Sequence, residues 1–204
     1  MDPATFATAY TLSTSIGIRP FLTLAFASLA MHFGYLHPSP AFAYLGTNGA
    51  TWILAGLAVI ELVGDKIPVV DHALHVIHFG TKPVAAALLV GSAVSGGGSP
   101  DVVTGLLMGV GALNALGVHA GVTALRGAST ATTLGVANPF ISLGEDVAVV
   151  VSTVLAIFVP FVGALLAIAV TLVVVLVGRQ VYLAMRHAQA SGVSSESTSL
   201  ATTA

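Results

Sequence analysis

Long apolar segments, each of about 20 residues, constrain the fold of this chain more than any other feature. The chain has 204 residues, of which 56% are hydrophobic and 7% charged, and its mean hydropathy is +0.99. Soluble domains carry about 25% charged residues, so an ordinary soluble domain is excluded. The sequence predicts an all-α integral membrane protein with about six transmembrane helices.

These segments form a single polytopic transmembrane domain over residues 1–186, with halves at about 1–98 and 99–186. Residues 187–204 are rich in Ser and Thr, and we expect a disordered cytoplasmic tail there. The positive-inside rule predicts the cytoplasmic (inner) membrane as the location, with both termini in the cytoplasm. The basic residues that favour this orientation are Lys66, Lys82, Arg126, Arg179 and Arg186.

The two halves share a weak internal similarity. The segment Ser15–Thr23 aligns with Ala115–Thr123, which pairs Arg19 with His119. One interpretation is an inverted repeat of three spans per half, with a site at the repeat interface and a helix break at each matched segment. Pro20 would then begin a half-helix whose N-terminal amides could bind an anion. Chance similarity between sequences rich in Gly, Ala, Leu and Val is the alternative.

Charged residues inside apolar segments mark the candidate site, because an ionised group in lipid is costly unless it is paired or hydrated. Glu61 and Asp65 share a helix face, where they could bind a cation or exchange a proton. A structural ion pair of Arg19 with Glu61 or Asp146 is the competing interpretation. The candidate ion- or substrate-binding residues are Arg19, Glu61, Asp65, Lys66, Asp71, His119, Glu145 and Asp146.

A stripe of polar residues follows at helical spacing, formed by Asp71, His75, His78 and Lys82. It is typical of an amphipathic helix that lies at the cytoplasmic interface with its polar side in water. A vestibule or proton relay is a second interpretation, because histidine titrates near neutral pH. A divalent-metal site with His75, His78 and Asp71 as ligands is a third, although the spacing matches no closed metal signature. We expect no other cofactor.

Several function classes are excluded or disfavoured. The chain has no cysteine, which excludes disulfides and thiolate chemistry. Its net charge of −2 without a basic cluster predicts no nucleic-acid partner. We expect no enzyme activity, since Ser15 or Ser142 with His119 lacks a nucleophile-elbow motif. The expected partners are the lipid bilayer and a small ion or polar solute, and Gly105-x-x-x-Gly109 could support a homodimer.

The motif Glu61-x-x-x-Asp65-Lys66-x-Pro68-x-x-Asp71, followed by Lys82-Pro83, resembles the small bacterial membrane proteins of the domain-of-unknown-function family 4126. The segment Asn138…Ser142…Glu145-Asp146 is similar to their second half. The resemblance implies that the charged residues of both segments form one group, and it brings no known function with it.

The leading functional hypothesis is a transporter or channel for a small ion or polar solute, with proton coupling as an option. It is motivated by carboxylates, an arginine and helix breaks at membrane depth. One alternative is a non-catalytic membrane scaffold or assembly protein whose charges form structural ion pairs. Binding or transport of a divalent metal through the Asp/His stripe is the other.

Overall fold

Helices account for nearly all of the chain in the computed structural model, which describes residues 2–95 and 100–202, without the side chains of 68–73, 75 and 184–202. The helices are α1 (Pro3–Ile18), α2 (Pro20–His32), a short 3-10 helix (Pro40–Gly46), α3 (Asn48–Gly64), α4 (Pro68–Val94), α5 (Val102–Thr133), α6 (Asn138–Phe158) and α7 (Pro160–Thr202). The predicted all-α class is confirmed.

Four or five segments of the described chain are long and apolar enough to cross a membrane. Four of them lie in α4, α5, α6 and α7, and the 3-10 helix with α3, bent by 59°, makes the fifth. The structure does not support the predicted sixth span, because α1 and α2 have only 16 and 13 residues. At 1.5 Å per residue they reach about 24 and 20 Å, less than the roughly 30 Å of a bilayer core.

Helices α1 and α2 form a hairpin with Arg19 at its tip. Arg19 has an extended backbone between the two helices, and Pro20 begins α2, a position that suits its fixed φ and missing N–H. Asp2 before α1 and Met31 near the end of α2 line the same cavity. The hairpin therefore starts and ends at one face of the molecule, and its tip lies within the helix bundle. We call it the re-entrant hairpin.

The break predicted at Arg19 and Pro20 is present, but its predicted counterpart near His119 is not. Helix α5 is continuous through Gly117 and His119, because that segment has no proline to remove a backbone hydrogen bond. The predicted inverted repeat of three spans per half is therefore not supported.

A second sharp reversal joins α6 to α7 at Val159, where Pro160 begins α7. It needs Gly163, since a Cβ there would lie 2.9 Å from the backbone nitrogen of Ala156. The ring of Phe158 contacts that of Tyr35 at 5.3 Å, so this reversal lies at the face where the re-entrant hairpin opens.

Helix α1 is the central element of the bundle. Most of it is buried, including hydroxyl residues such as Thr11 and Ser15, and it packs against α4, α5, α6 and α7. Large apolar side chains of α5, such as Leu106 and Leu113, are exposed instead. Polar groups inside and apolar groups outside are the arrangement expected in lipid.

Two further features concern Pro83 and the C-terminal end of α7. Pro83 lies inside α4, so the polar segment before it and the apolar segment after it form one continuous helix. Helix α7 continues to Thr202, and the side chains of the predicted disordered tail at 187–204 lie outside the described residues. The domain at 1–186 and the tail therefore stay predictions.

Candidate functional site

Most charged residues of the chain meet where the tip of the re-entrant hairpin reaches the end of α3 and the adjoining parts of α4, α5 and α6. We call this group the charge cluster. Its basic members are Arg19, Lys66, Lys82 and Arg126, and its acidic members are Glu61, Asp65, Glu145 and Asp146. Lys66 is 42% exposed, whereas Arg19 is 3% exposed and Glu61 is fully buried.

Arg19 brings three carboxylates together at the hairpin tip. Its Nη2 atom donates to Asp65 Oδ2 at 2.6 Å and to Ser142 Oγ at 3.0 Å. Its Nε atom lies 2.8 Å from Asp146 Oδ1, an ion pair without hydrogen-bond geometry. Glu145 Oε2 is 3.5 Å from Nη2. The predicted Arg19–Asp146 ion pair is thus formed.

Arg126 of α5 is the residue that the sequence analysis missed. Its Nη1 and Nη2 atoms donate to the two oxygens of Asp65 at 2.7 and 3.2 Å. Its Nε and Nη2 atoms donate to the two oxygens of Glu145 at 3.1 and 2.5 Å. A planar guanidinium can bind a carboxylate on each of two edges in this way, so Arg126 joins α3 to α6.

Asp65 is the most densely paired carboxylate of the cluster. It lies in the turn after α3, outside the candidate spans, and also accepts a hydrogen bond from Ser142. Burial alone would raise the pKa of its carboxyl, but hydrogen bonds from Arg19 and Arg126 outweigh burial and hold that pKa well below its usual range. Asp65 is therefore a permanent anion rather than a proton carrier.

Lys66 and Ser142 complete this side of the cluster. The Lys66 Nζ atom contacts Ser142 Oγ and lies 3.2 Å from Asp146 Oδ2. Among the described side chains, the partners of Ser142 Oγ are the charged groups of Arg19, Lys66 and Asp65, and no histidine is among them. The other residues considered for serine chemistry do not form a Ser–His pair. His119 lies beside Lys82, and the Ser15 hydroxyl is bonded to that of Ser152.

Glu61 occupies the start of α2. Its Oε2 atom accepts the backbone N–H of Leu22 at 2.9 Å, one of the donors left free in a first helical turn. Its Oε1 atom lies 3.1 Å from Nε2 of His78, without hydrogen-bond geometry. The anion expected at this helix end is thus a side chain of the protein, and Glu61 binds there instead of pairing with Arg19.

The interpretation of the polar stripe as a water-exposed surface is wrong for the part that the structure describes. His78 and Lys82 are buried, whereas Val76 and Phe79 of the same helix are 75% and 69% exposed. The Lys82 Nζ atom lies 2.8 Å from Nδ1 of His119. His78 and Lys82, the described members of the stripe, therefore face the bundle.

The predicted metal site falls largely outside the described residues, because the side chains of Asp71 and His75 are not among them. Among the side chains that are described, no three His, Asp or Glu residues lie together as metal ligands. His78, the remaining candidate ligand, faces Glu61.

A cavity of about 220 Å³ lies at the face of the molecule away from the charge cluster, where the re-entrant hairpin opens. It is lined by Asp2, Thr8, Tyr35 and His37 among others. Buried hydroxyl residues continue from it towards Arg19 along α1 and α6. The Ser15 and Ser152 hydroxyls are 2.8 Å apart, and the Thr153 hydroxyl has no hydrogen-bond partner. We call this set the hydroxyl seam; it consists of Thr8, Thr11, Ser15, Ser152 and Thr153.

Comparison with known proteins identifies the family but no activity. No curated protein and no solved structure matches the chain. The model of the family described as Domain of unknown function (DUF4126) matches residues 6–180. This match includes most of the re-entrant hairpin and every member of the charge cluster, as the acidic motif had indicated. The chain therefore belongs to the DUF4126 family.

Proposed function

We propose that the protein transports a small ion or polar solute, and that the charge cluster at the hairpin tip is its binding site and gate. The observation that carries this proposal is Arg19, which is buried at a helix break and contacts carboxylates of other elements. Broken helices often form transporter sites, because their unpaired backbone groups and charges can bind a solute at membrane depth.

A polar route through the bundle supports the proposal. The cavity at Asp2 and His37 opens at one face, and the hydroxyl seam leads from it along α1 to Ser15, one helical turn before Arg19. On the other side of Arg19, the half-exposed Lys66 reaches the opposite face. In this proposal, a solute that enters at the cavity meets the charge cluster before it reaches Lys66.

The ion pairs of the cluster are arranged so that partners can be exchanged. Each carboxylate in contact with Arg19 also contacts a second cation: Asp65 and Glu145 contact Arg126, and Asp146 contacts Lys66. Leaving a buried charge unpaired is the main cost of breaking such a pair. Because the second cations remain, Arg19 can release its partners at lower cost while a solute passes.

A flux measurement on vesicles that contain the purified protein tests this proposal. Vesicle shrinking and reswelling, followed by light scattering, would be measured with potassium chloride, sodium chloride, potassium phosphate, potassium acetate and glycerol. We expect the protein to speed the entry of at least one of these solutes, and Arg19→Gln to abolish the effect. Arg179→Gln, a control at an exposed arginine of α7, should transport normally. Flux equal to that of empty vesicles for every solute would contradict the proposal.

A scaffold or assembly role is the second candidate, and the charge balance of the cluster favours it. The cluster has as many basic as acidic members, and its ion pairs connect the re-entrant hairpin with α3, α5 and α6. Such a network can fix helix packing without binding a solute. In that case Arg19→Gln should lower the stability of the protein, and the wild type should carry no solute in the vesicle measurement.

A further inference from the structure

We propose that Glu61 and His78 form a proton-binding site, and that the proton held there controls the re-entrant hairpin. This pair is distinct from Asp65, Glu145 and Asp146, the carboxylates that arginines bind at the hairpin tip. The control of the hairpin rests on the proposed transport function, whereas the proton site does not. The two can therefore fail separately in experiments.

The geometry of the pair is that of a shared proton site. Glu61 is fully buried, and the ring of His78 is 7% exposed. Glu61 Oε1 and His78 Nε2 are 3.1 Å apart, and neither atom has a conventional hydrogen bond in this arrangement. A hydrogen on Nε2 of the neutral ring can satisfy both buried atoms, and a second proton on the ring converts the contact into an ion pair.

Glu61 differs from the other acidic residues of the cluster in its partner. Asp65, Glu145 and Asp146 each lie within 4 Å of an arginine nitrogen, and arginine stays protonated in proteins. The ion-pair partner of Glu61 is His78, and histidine is charged only when it binds a second proton. The charge balance at Glu61 therefore changes with one proton.

The surroundings of the pair supply both signs of charge. On α4, Lys82 lies one turn beyond His78 and contacts His119 of α5. Lys82 interacts electrostatically with Glu61 and Glu145, and with Arg19 and Arg126. On α2, the Phe21 ring lies 6.0 Å from the His78 ring. Asp65, one turn beyond Glu61, is already neutralised by its two arginines.

The same carboxylate connects the proton site to the hairpin. Glu61 Oε2 accepts the Leu22 N–H, and Arg19 as N-cap of α2 provides no side-chain cap of its own. A charged imidazolium attracts the carboxylate more strongly than a neutral ring does. Proton binding at His78 therefore competes with the hydrogen bond between the Leu22 N–H and Glu61. Leu22 lies in the first turn of α2, directly after the hairpin tip.

Nuclear magnetic resonance of the full-length protein, ¹⁵N-labelled at histidine and leucine, tests the site without a flux assay. The His78 signal is assigned from its loss in His78→Gln. In the wild type we expect the His78 ring to become doubly protonated on acidification while the protein stays folded. In Glu61→Gln the ring should stay neutral over the same range, because a buried imidazolium then has no carboxylate. Glu145→Gln, the matched control, should leave His78 protonation in place, since Glu145 pairs with Arg126.

The wild type also provides a readout that needs no folded variant. The Leu22 amide signal should shift together with His78 protonation, because both groups share the Glu61 carboxylate. A His78 ring that stays neutral in the wild type, or that is protonated equally in Glu61→Gln, would overturn the proton site. A Leu22 amide that does not respond to His78 protonation would overturn the control of the hairpin.

Discussion

Arg126 illustrates how single residues hold the charge cluster together. It contacts Asp65 and Glu145, each through two hydrogen bonds. The sequence pointed to the acidic partners, because ionised groups in apolar segments are costly. It did not point to Arg126, because the apolar character of that segment falls off near Leu125 and the arginine was assigned to a loop. Helix α5 in fact continues to Thr133.

Arg126→Gln should lower the free energy of unfolding by about 3–5 kcal/mol, the usual loss when one partner of a buried ion pair is removed. Denaturation in detergent, followed by circular dichroism, measures the change. Arg179→Gln is the control, and Arg126→Gln combined with Glu145→Gln should recover part of the loss, since one unpaired carboxylate is removed as well. Unchanged stability of Arg126→Gln would show that the ion pairs contribute little.

The helix elements were predictable where a residue dictates the backbone and unpredictable where packing decides. Pro20 cannot lie inside a helix without cost, so the break beside Arg19 followed from the sequence. The reversal of direction at that break did not, because it depends on contacts of α1 with α5 and α6. The break predicted at His119 is absent for a different reason: that segment has no proline, and α5 continues through it.

Gly17 is the residue that lets α1 approach α5. A Cβ there would lie 2.6 Å from the Val118 Cβ and 2.8 Å from the Ala115 carbonyl oxygen. Gly17→Ala should therefore destabilise the protein by about 1–3 kcal/mol, the typical cost of overpacking. Gly109, by contrast, has open space around its Cα, and Gly109→Ala should stabilise α5 by about 0.5–1 kcal/mol. Thermal unfolding that ranks Gly17→Ala equal to Gly109→Ala would contradict this packing.

The whole molecule combines a re-entrant hairpin with up to five spans. This arrangement places Asp2 and His37 at one face and the turn between α5 and α6 at the other. Composition correctly predicted the helical class and the presence of apolar helices long enough to cross a membrane. It could not predict the number of spans, because an apolar stretch from Ala4 to Gly34 fits one tilted span as well as a hairpin.

Cysteine accessibility tests the arrangement, and the cysteine-free chain allows single substitutions. Asp2→Cys and His37→Cys should react with a membrane-impermeant maleimide from the same face. Val136→Cys, at a 72% exposed position between α5 and α6, should react from the opposite face. Reaction of Asp2→Cys and His37→Cys from opposite faces would mean that the first apolar segment crosses the membrane as a span.

The central claim is that the charge cluster binds a solute in addition to holding helices together. The most direct test is solute flux through vesicles that contain the charge-balanced double variant Arg19→Gln/Asp146→Asn. This variant removes both partners of the Arg19–Asp146 ion pair and leaves Asp65 and Glu145 paired with Arg126, so it should lose less stability than Arg19→Gln alone. The account predicts that it folds and no longer transports the solute that the wild type carries. Wild-type flux in the folded double variant would contradict the account and assign these charges to helix packing alone.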